Sequence, residues 1–172
     1  MCIRDRYVAF IFAAIYIGYS IGSSPITSYN YGSGNNAELK NVFRKSLIII
    51  TIVSICMLAA SQLAATTLAG IFVSYDKELF DLTVNGFKLY SLSFLFSGFN
   101  IFSSAFFTAL NNGLISAVIS FLRTLVFQVS AVFILPLLIG VNGIWLAVVA
   151  AEILTLIFSV IFLITNRKKY HY

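Results

Sequence analysis

The chain has 172 residues, of which 60% are hydrophobic and only 10% are charged, with a mean hydropathy of +0.97. Soluble domains carry about a quarter charged residues, so there is too little charge here to cover a water-facing surface. A soluble enzyme, a disordered chain and a secreted disulfide scaffold are excluded, and an all-α polytopic membrane helix bundle is predicted.

The first six residues, Met-Cys-Ile-Arg-Asp-Arg, open no signal peptide, because a full-length apolar run comes at once. The string resembles translated sequencing-adapter read-through, so residues 1–6 are read as non-native. A helix crossing the hydrocarbon core needs about 20 mostly apolar residues. Five stretches qualify: 7–28, 46–73 with no charge, 87–110, 114–138 containing Arg123, and 144–165 containing Glu152. Apolar alternation over short segments is absent, which excludes strands. The predicted connections are a polar loop over 29–45, an acidic loop over 74–86, and tight turns at Asn111-Asn112-Gly113 and 139–143. The span unit is read as 7–169, with 170–172 as the tail end.

The net charge is +5, from 11 Lys and Arg against 6 Asp and Glu. The cations sit between uncharged runs, so they read as a topology signal rather than a nucleic-acid footprint. Lys40, Arg44 and Lys45 come after the first span, and Arg167, Lys168 and Lys169 after the last. Five spans put both groups on one side, predicted to be cytoplasmic. Cys56 lies in an apolar run and reads as a small core residue, so no disulfide with Cys2 is expected. His171, the only histidine, reads as part of a solvated tail. No cofactor or metal is expected.

Steps of three and four residues stay on one helix face. Tyr90, Ser93, Ser97, Asn100, Ser104 and Thr108 make such a polar stripe on the third span. Tyr16, Ser20, Ser23, Thr27 and Asn30 make one on the first. Ser116, Ser120, Arg123, Phe127 and Ser130 make one on the fourth, and Glu152, Thr155 and Ser159 one on the fifth. Hydroxyl residues on such stripes serve either as glue between helices or as the wall of a wet cavity. Asn100, Arg123, Gln128 and Glu152 favour a cavity, with Tyr90 and Ser97 as neighbours on the third-span stripe. Gly18 and Gly22 form a Gly-x-x-x-Gly pair and are expected to pack against another helix.

Arg123 and Glu152 are the sharpest pair. An intramembrane charge costs at least about 2.5–3.5 kcal/mol and is rarely idle. Counted from the intervening turn, Arg123 lies about 24 Å deep and Glu152 about 13 Å deep. A direct or water-bridged pair is expected, serving either structure or ion coupling. Phosphate loops, nucleophile elbows and zinc motifs are absent from the sequence, so no enzyme is expected.

The stretch Gly18-Tyr-Ser-Ile-Gly22-Ser-Ser-Pro25-Ile-Thr-Ser-Tyr29-Asn-Tyr-Gly32-Ser-Gly-Asn-Asn36, followed by Glu38-Leu-Lys40, resembles the MATE (multidrug and toxic compound extrusion) family from its eighth helix into the loop before the ninth. Phe106-Phe-Thr-Ala-Leu-Asn-Asn-Gly113 resembles the tenth helix and its turn. Phe121-Leu-Arg123, Leu135-Pro136 and Gly143-Ile-Trp145-Leu-Ala147 resemble the eleventh and twelfth. The resemblance implies five helices of the carboxyl lobe of a two-lobed transporter of about twelve helices. It further implies a proton- or sodium-coupled antiporter that exports drugs or cationic and amphipathic compounds by alternating access. Its partners would be the lipid bilayer, the missing amino-terminal lobe and a small-molecule substrate. The tenth-helix position that carries a coupling acid in some members aligns with Asn100, which is neutral. Two other functions compete: a lipid-linked precursor flippase of the same superfamily, and a membrane protein that assembles but transports nothing. Dye efflux separates the exporter from the non-transporter, and precursor accumulation on knockout marks the flippase.

Overall fold

The computed structural model describes residues 2–72 and 77–172, with the side chains of 2–9, 68, 69, 71, 72 and 78 outside the described set. Among the described residues seven α-helices run in order: α1 (Cys2–Gly32), α2 (Asn36–Phe72), α3 (Lys77–Ser91), α4 (Phe94–Ala109), α5 (Gly113–Phe121), α6 (Gln128–Ile139) and α7 (Asn142–Tyr170). A π-helical stretch, Leu122–Phe127, joins α5 to α6. Among the described residues four helical segments are long and apolar enough to span a bilayer, and α3 with α4, bent by 41°, makes a fifth where the pair is counted as one broken span. The predicted count of five is the upper of these two figures.

Two predicted loops are corrected. The loop placed over 29–45 shrinks to Ser33–Asn35, because the helices run on past their apolar runs. Gly34 takes a positive φ of 70°, and the Asn35 side chain caps α2 by accepting from the Glu38 amide at 3.2 Å. In the loop predicted over 74–86, residues 77–86 are helix, the first part of α3; residues 74–76 lie outside the described residues.

The third span is not one helix. At Leu92 and Ser93 the bonds shorten to the i→i+3 type, with Ser93 N donating to Tyr90 O at 2.9 Å. The stripe drawn from Tyr90 to Thr108 therefore breaks, and Tyr90 ends on a different helix from Asn100.

The expected packing at Gly18 and Gly22 is also corrected. A Cβ at either would meet nothing within 4 Å. Close approach occurs instead at Gly98, where a Cβ would lie 2.5 Å from the Tyr16 ring. At Gly143 it would overlap the main chain of Leu135 and Pro136.

A cluster of Leu39, Phe102, Phe106, Phe107, Leu110, Tyr170 and Tyr172 forms the core at one end of the bundle. Phe43 joins it, with ring centroids 4.9 Å from Phe106 and from Tyr172. This cluster brings the start of α2 and the end of α7 together, so the two basic groups share one end. The outer faces carry large apolar side chains such as Phe133 and Leu137, exposed as hydrocarbon-facing positions are. Cys56 is free and exposed, not a core residue, because it lies on the outward face of α2.

Candidate functional site

The inner polar network ties three spans together. Arg123, in the π stretch, donates from Nε at 2.9 Å and from Nη2 at 2.6 Å to Glu152 Oε1 on α7. Asn100 on α4 donates from Nδ2 to Glu152 Oε2 at 2.7 Å and to the Glu152 main-chain oxygen at 2.9 Å. Ser159 Oγ, two turns along α7, donates to Asn100 Oδ1 at 3.1 Å. Each carboxylate oxygen thus has a donor from a different helix. Charge-assisted bonds of this kind are the strong ones.

The register that joins the pair comes from Gly143. Its close approach places it level with Leu135, rather than leaving the turn as the common origin. Arg123 lies 12 residues before Leu135 and Glu152 lies 9 after Gly143. That is about 18 Å against about 13.5 Å of helix. The offset falls to about 4–5 Å, which an arginine side chain covers. The expected pair is therefore direct.

Arg123 keeps 27% of its side chain exposed, whereas Glu152 keeps 8%. Among the described residues Glu152 is the only buried charged side chain. The network is thus reachable from one side, through the guanidinium.

The other expected site residues divide. Ser97 is buried on α4, one turn before Asn100. Tyr90 lies across the helix break, its ring 5.7 Å from Phe94, and is not brought to the carboxylate. Gln128 is exposed and is not part of the network. Five residues past Arg123, it already lies off the Arg123 stripe at a period of 3.6. Ser130 is exposed too, and there the π stretch matters. One extra residue in a turn rotates the rest of the helix by about 100°, which carries Ser130, seven residues past Arg123, off the Arg123 face. Ser104 bonds Ser116 at 2.8 Å and Ser120 at 3.0 Å, so that part of the stripe glues α4 to α5. Sequence reasoning did not single out Ser159 beyond its place on the stripe of Glu152.

A family model described as MatE matches residues 4–134. No curated protein matches the chain. Among solved structures, one described as a MATE in complex with MaL6 superposes with a TM-score of 0.87 at 17% identity, covering 97% of this chain and 38% of that one. A MOP superfamily transporter from Pyrococcus furiosus, described as having a binding pocket of reverse polarity, gives 0.88 at 18% identity over 98% of this chain and 38% of that one. An outward-facing multidrug resistance MATE family transporter gives 0.84 at 18% identity over 96% and 38%. The chain thus has the fold of these proteins and spans little more than a third of their length.

Proposed function

This chain belongs to the MatE family, and on that premise we propose that it forms the carboxyl lobe of a secondary active transporter. The activity proposed is a proton- or sodium-coupled antiport that exports drugs or other cationic and amphipathic compounds. The observation that carries this reading is the Glu152 carboxylate, buried within a span and held by Arg123 and Asn100 from two others. An intramembrane acid with exchangeable partners is suited to taking up a cation. A proton or sodium ion on Glu152 would compete with Arg123 and loosen the tie between the fourth span and α7. Rocking of repeats about a central site then supplies alternating access. The partner in this scheme is an amino-terminal lobe of the same chain, in a plasma or inner membrane with the basic end cytoplasmic. No catalytic step is assigned to any residue.

The lipid-linked precursor flippase is the weaker reading. A pyrophosphate head group calls for net positive charge at the network within the spans, whereas Arg123 there is paired with Glu152 at 2.6 Å.

The test is ion-driven dye efflux in vesicles carrying the two-lobed protein with Glu152→Gln. Loss of efflux, or a shifted dependence on the imposed proton or sodium gradient, supports coupling through Glu152. Unchanged efflux with unchanged pH dependence removes that role. A long read upstream of codon 7 tests the lobe assignment: about seven further helices in frame are expected, and a stop codon there overturns it.

A further inference from the structure

A cavity opens at the basic end of the bundle, and neither Arg123, Asn100 nor Glu152 lines it. It measures about 570 Å³ and runs between α2, α4 and α7. On α2 its wall is Lys40, Phe43, Arg44 and Leu47, at spacings that share one helix face. On α7 the wall runs from Leu156 through Val160 and Leu163 to Arg167, again on one face. The two helices meet here start to end, so Lys40, Arg44 and Arg167 gather at one mouth and the walls deeper in are apolar. Ser103 is the only uncharged polar side chain on the wall besides the Tyr172 phenol, and no Asp or Glu side chain lines it. The phenol is engaged, donating to Leu163 O at 2.8 Å.

None of the three cations pairs with an Asp or Glu side chain among the described residues, where the one such pair is Arg123–Glu152. Arg167 donates from Nε to the Tyr172 main-chain oxygen at 3.3 Å, and its Nη atoms make no hydrogen bond among the described residues. From Leu156 to Arg167 is 11 residues, about 16 Å of helix. One leaflet of hydrocarbon is about 15 Å deep. The cleft is thus one leaflet deep, apolar along its length and cationic at its mouth.

We propose that this cleft holds one anionic phospholipid, its acyl chain between α2, α4 and α7 and its phosphate on Lys40, Arg44 and Arg167. Charge complementarity selects the head group, since a basic pocket between helices at an interface suits a phosphate. The apolar depth selects a lipid over a free anion. Bound there, the lipid ties α2 to α7 at the end of the bundle where the aromatic cluster already joins them.

The test is native mass spectrometry of the chain in neutral detergent, titrated with equal phosphatidylglycerol and phosphatidylcholine. One retained phosphatidylglycerol per chain is expected, in preference to phosphatidylcholine. Lys40→Gln, Arg44→Gln and Arg167→Gln are each expected to weaken retention about fivefold, at about 1 kcal/mol per cation near an anionic head group. All three positions are exposed, so the variants keep the fold. Lys168→Gln with Lys169→Gln, outside the cleft, is expected to leave retention unchanged. Val160→Trp keeps every cation but fills the cleft, and is expected to lose the adduct. Equal retention of the two lipids overturns the proposal. So does a preference that survives the triple variant, retention in Val160→Trp, or glycerol phosphate binding as tightly as the lipid.

Discussion

Asn100 grips Glu152 at two points, its Nδ2 donating to the carboxylate Oε2 at 2.7 Å and to the main-chain oxygen at 2.9 Å. Its own Oδ1 accepts from Ser159 at 3.1 Å, so both ends of the amide are engaged. The side chain is 1% exposed, with no water to replace a lost bond. Asn100→Leu keeps the volume and removes every one of these bonds. It leaves a buried carboxylate oxygen short of a donor, which costs about 1–3 kcal/mol. Thermal unfolding in detergent is expected to show that loss. Asn100→Leu melting with the parent would show that α4 does not hold Glu152.

The Arg123–Glu152 pair makes a sharper test through a double-mutant cycle. Removing one partner of a buried ion pair strands the other charge and costs about 3–5 kcal/mol. The partial exposure of Arg123 puts the expected cost of Glu152→Met near the lower figure. Replacing both with methionine leaves no charge to strand, so the double variant is expected to be more stable than either single one. Additive losses in the melting temperatures would mean that the two side chains do not act as a pair.

Much of this arrangement is legible in the sequence. The four long spanning helices, and the apolar run that folds as the bent α3–α4 pair, come from run length alone. The Arg123–Glu152 pair is legible because two costly charges sit on antiparallel neighbours joined by a short turn. Asn100 stands out as an amide on an inward stripe. Other features leave no such mark. The break at Leu92–Ser93 has neither proline nor glycine to announce it. The π stretch looks like ordinary helix in the pattern of residues, so a period of 3.6 misplaces Ser130 beyond it. The polar residues of 36–45 read as loop, although helices commonly project past the hydrocarbon with polar ends. Gly18 and Gly22 match a packing motif, yet only the folded bundle decides which glycines meet a neighbour.

The contrast among the glycines is itself testable. Gly98→Ala would push the Tyr16 ring, whose hydroxyl donates to the Phe94 carbonyl at 2.9 Å and is hydrogen-bonded to Ser54 Oγ at 3.0 Å. Displacing it is expected to cost about 1–3 kcal/mol, as overpacking does. Gly18→Ala and Gly22→Ala meet open space on a helix and are expected to be neutral or to stabilise by about 0.5–1 kcal/mol. Melting temperatures of the three single variants decide the matter. Destabilisation at Gly18 or Gly22 in the isolated chain would restore the packing role expected for that pair.

Tyr172, beyond the end of α7, predicts a response at high pH. Its hydroxyl donates to the Leu163 carbonyl at 2.8 Å. Burial raises the phenol above its ordinary value of 10.0, Tyr170 adds to that, and Arg167 opposes it. A raised value means that the folded chain favours the neutral phenol. Its stabilisation is therefore complete below the unfolded value of about 10 and is lost as pH rises through the higher folded value. Tyr172→Phe removes the bond, at about 0.5–1.5 kcal/mol near neutral pH, and removes this part of the pH dependence. Between about pH 9 and about pH 11 the variant's melting temperature is expected to fall less than the parent's. Every other group is common to both chains, so the difference isolates Tyr172. Parallel curves would show that the phenol is solvated and does not help to close the aromatic cluster.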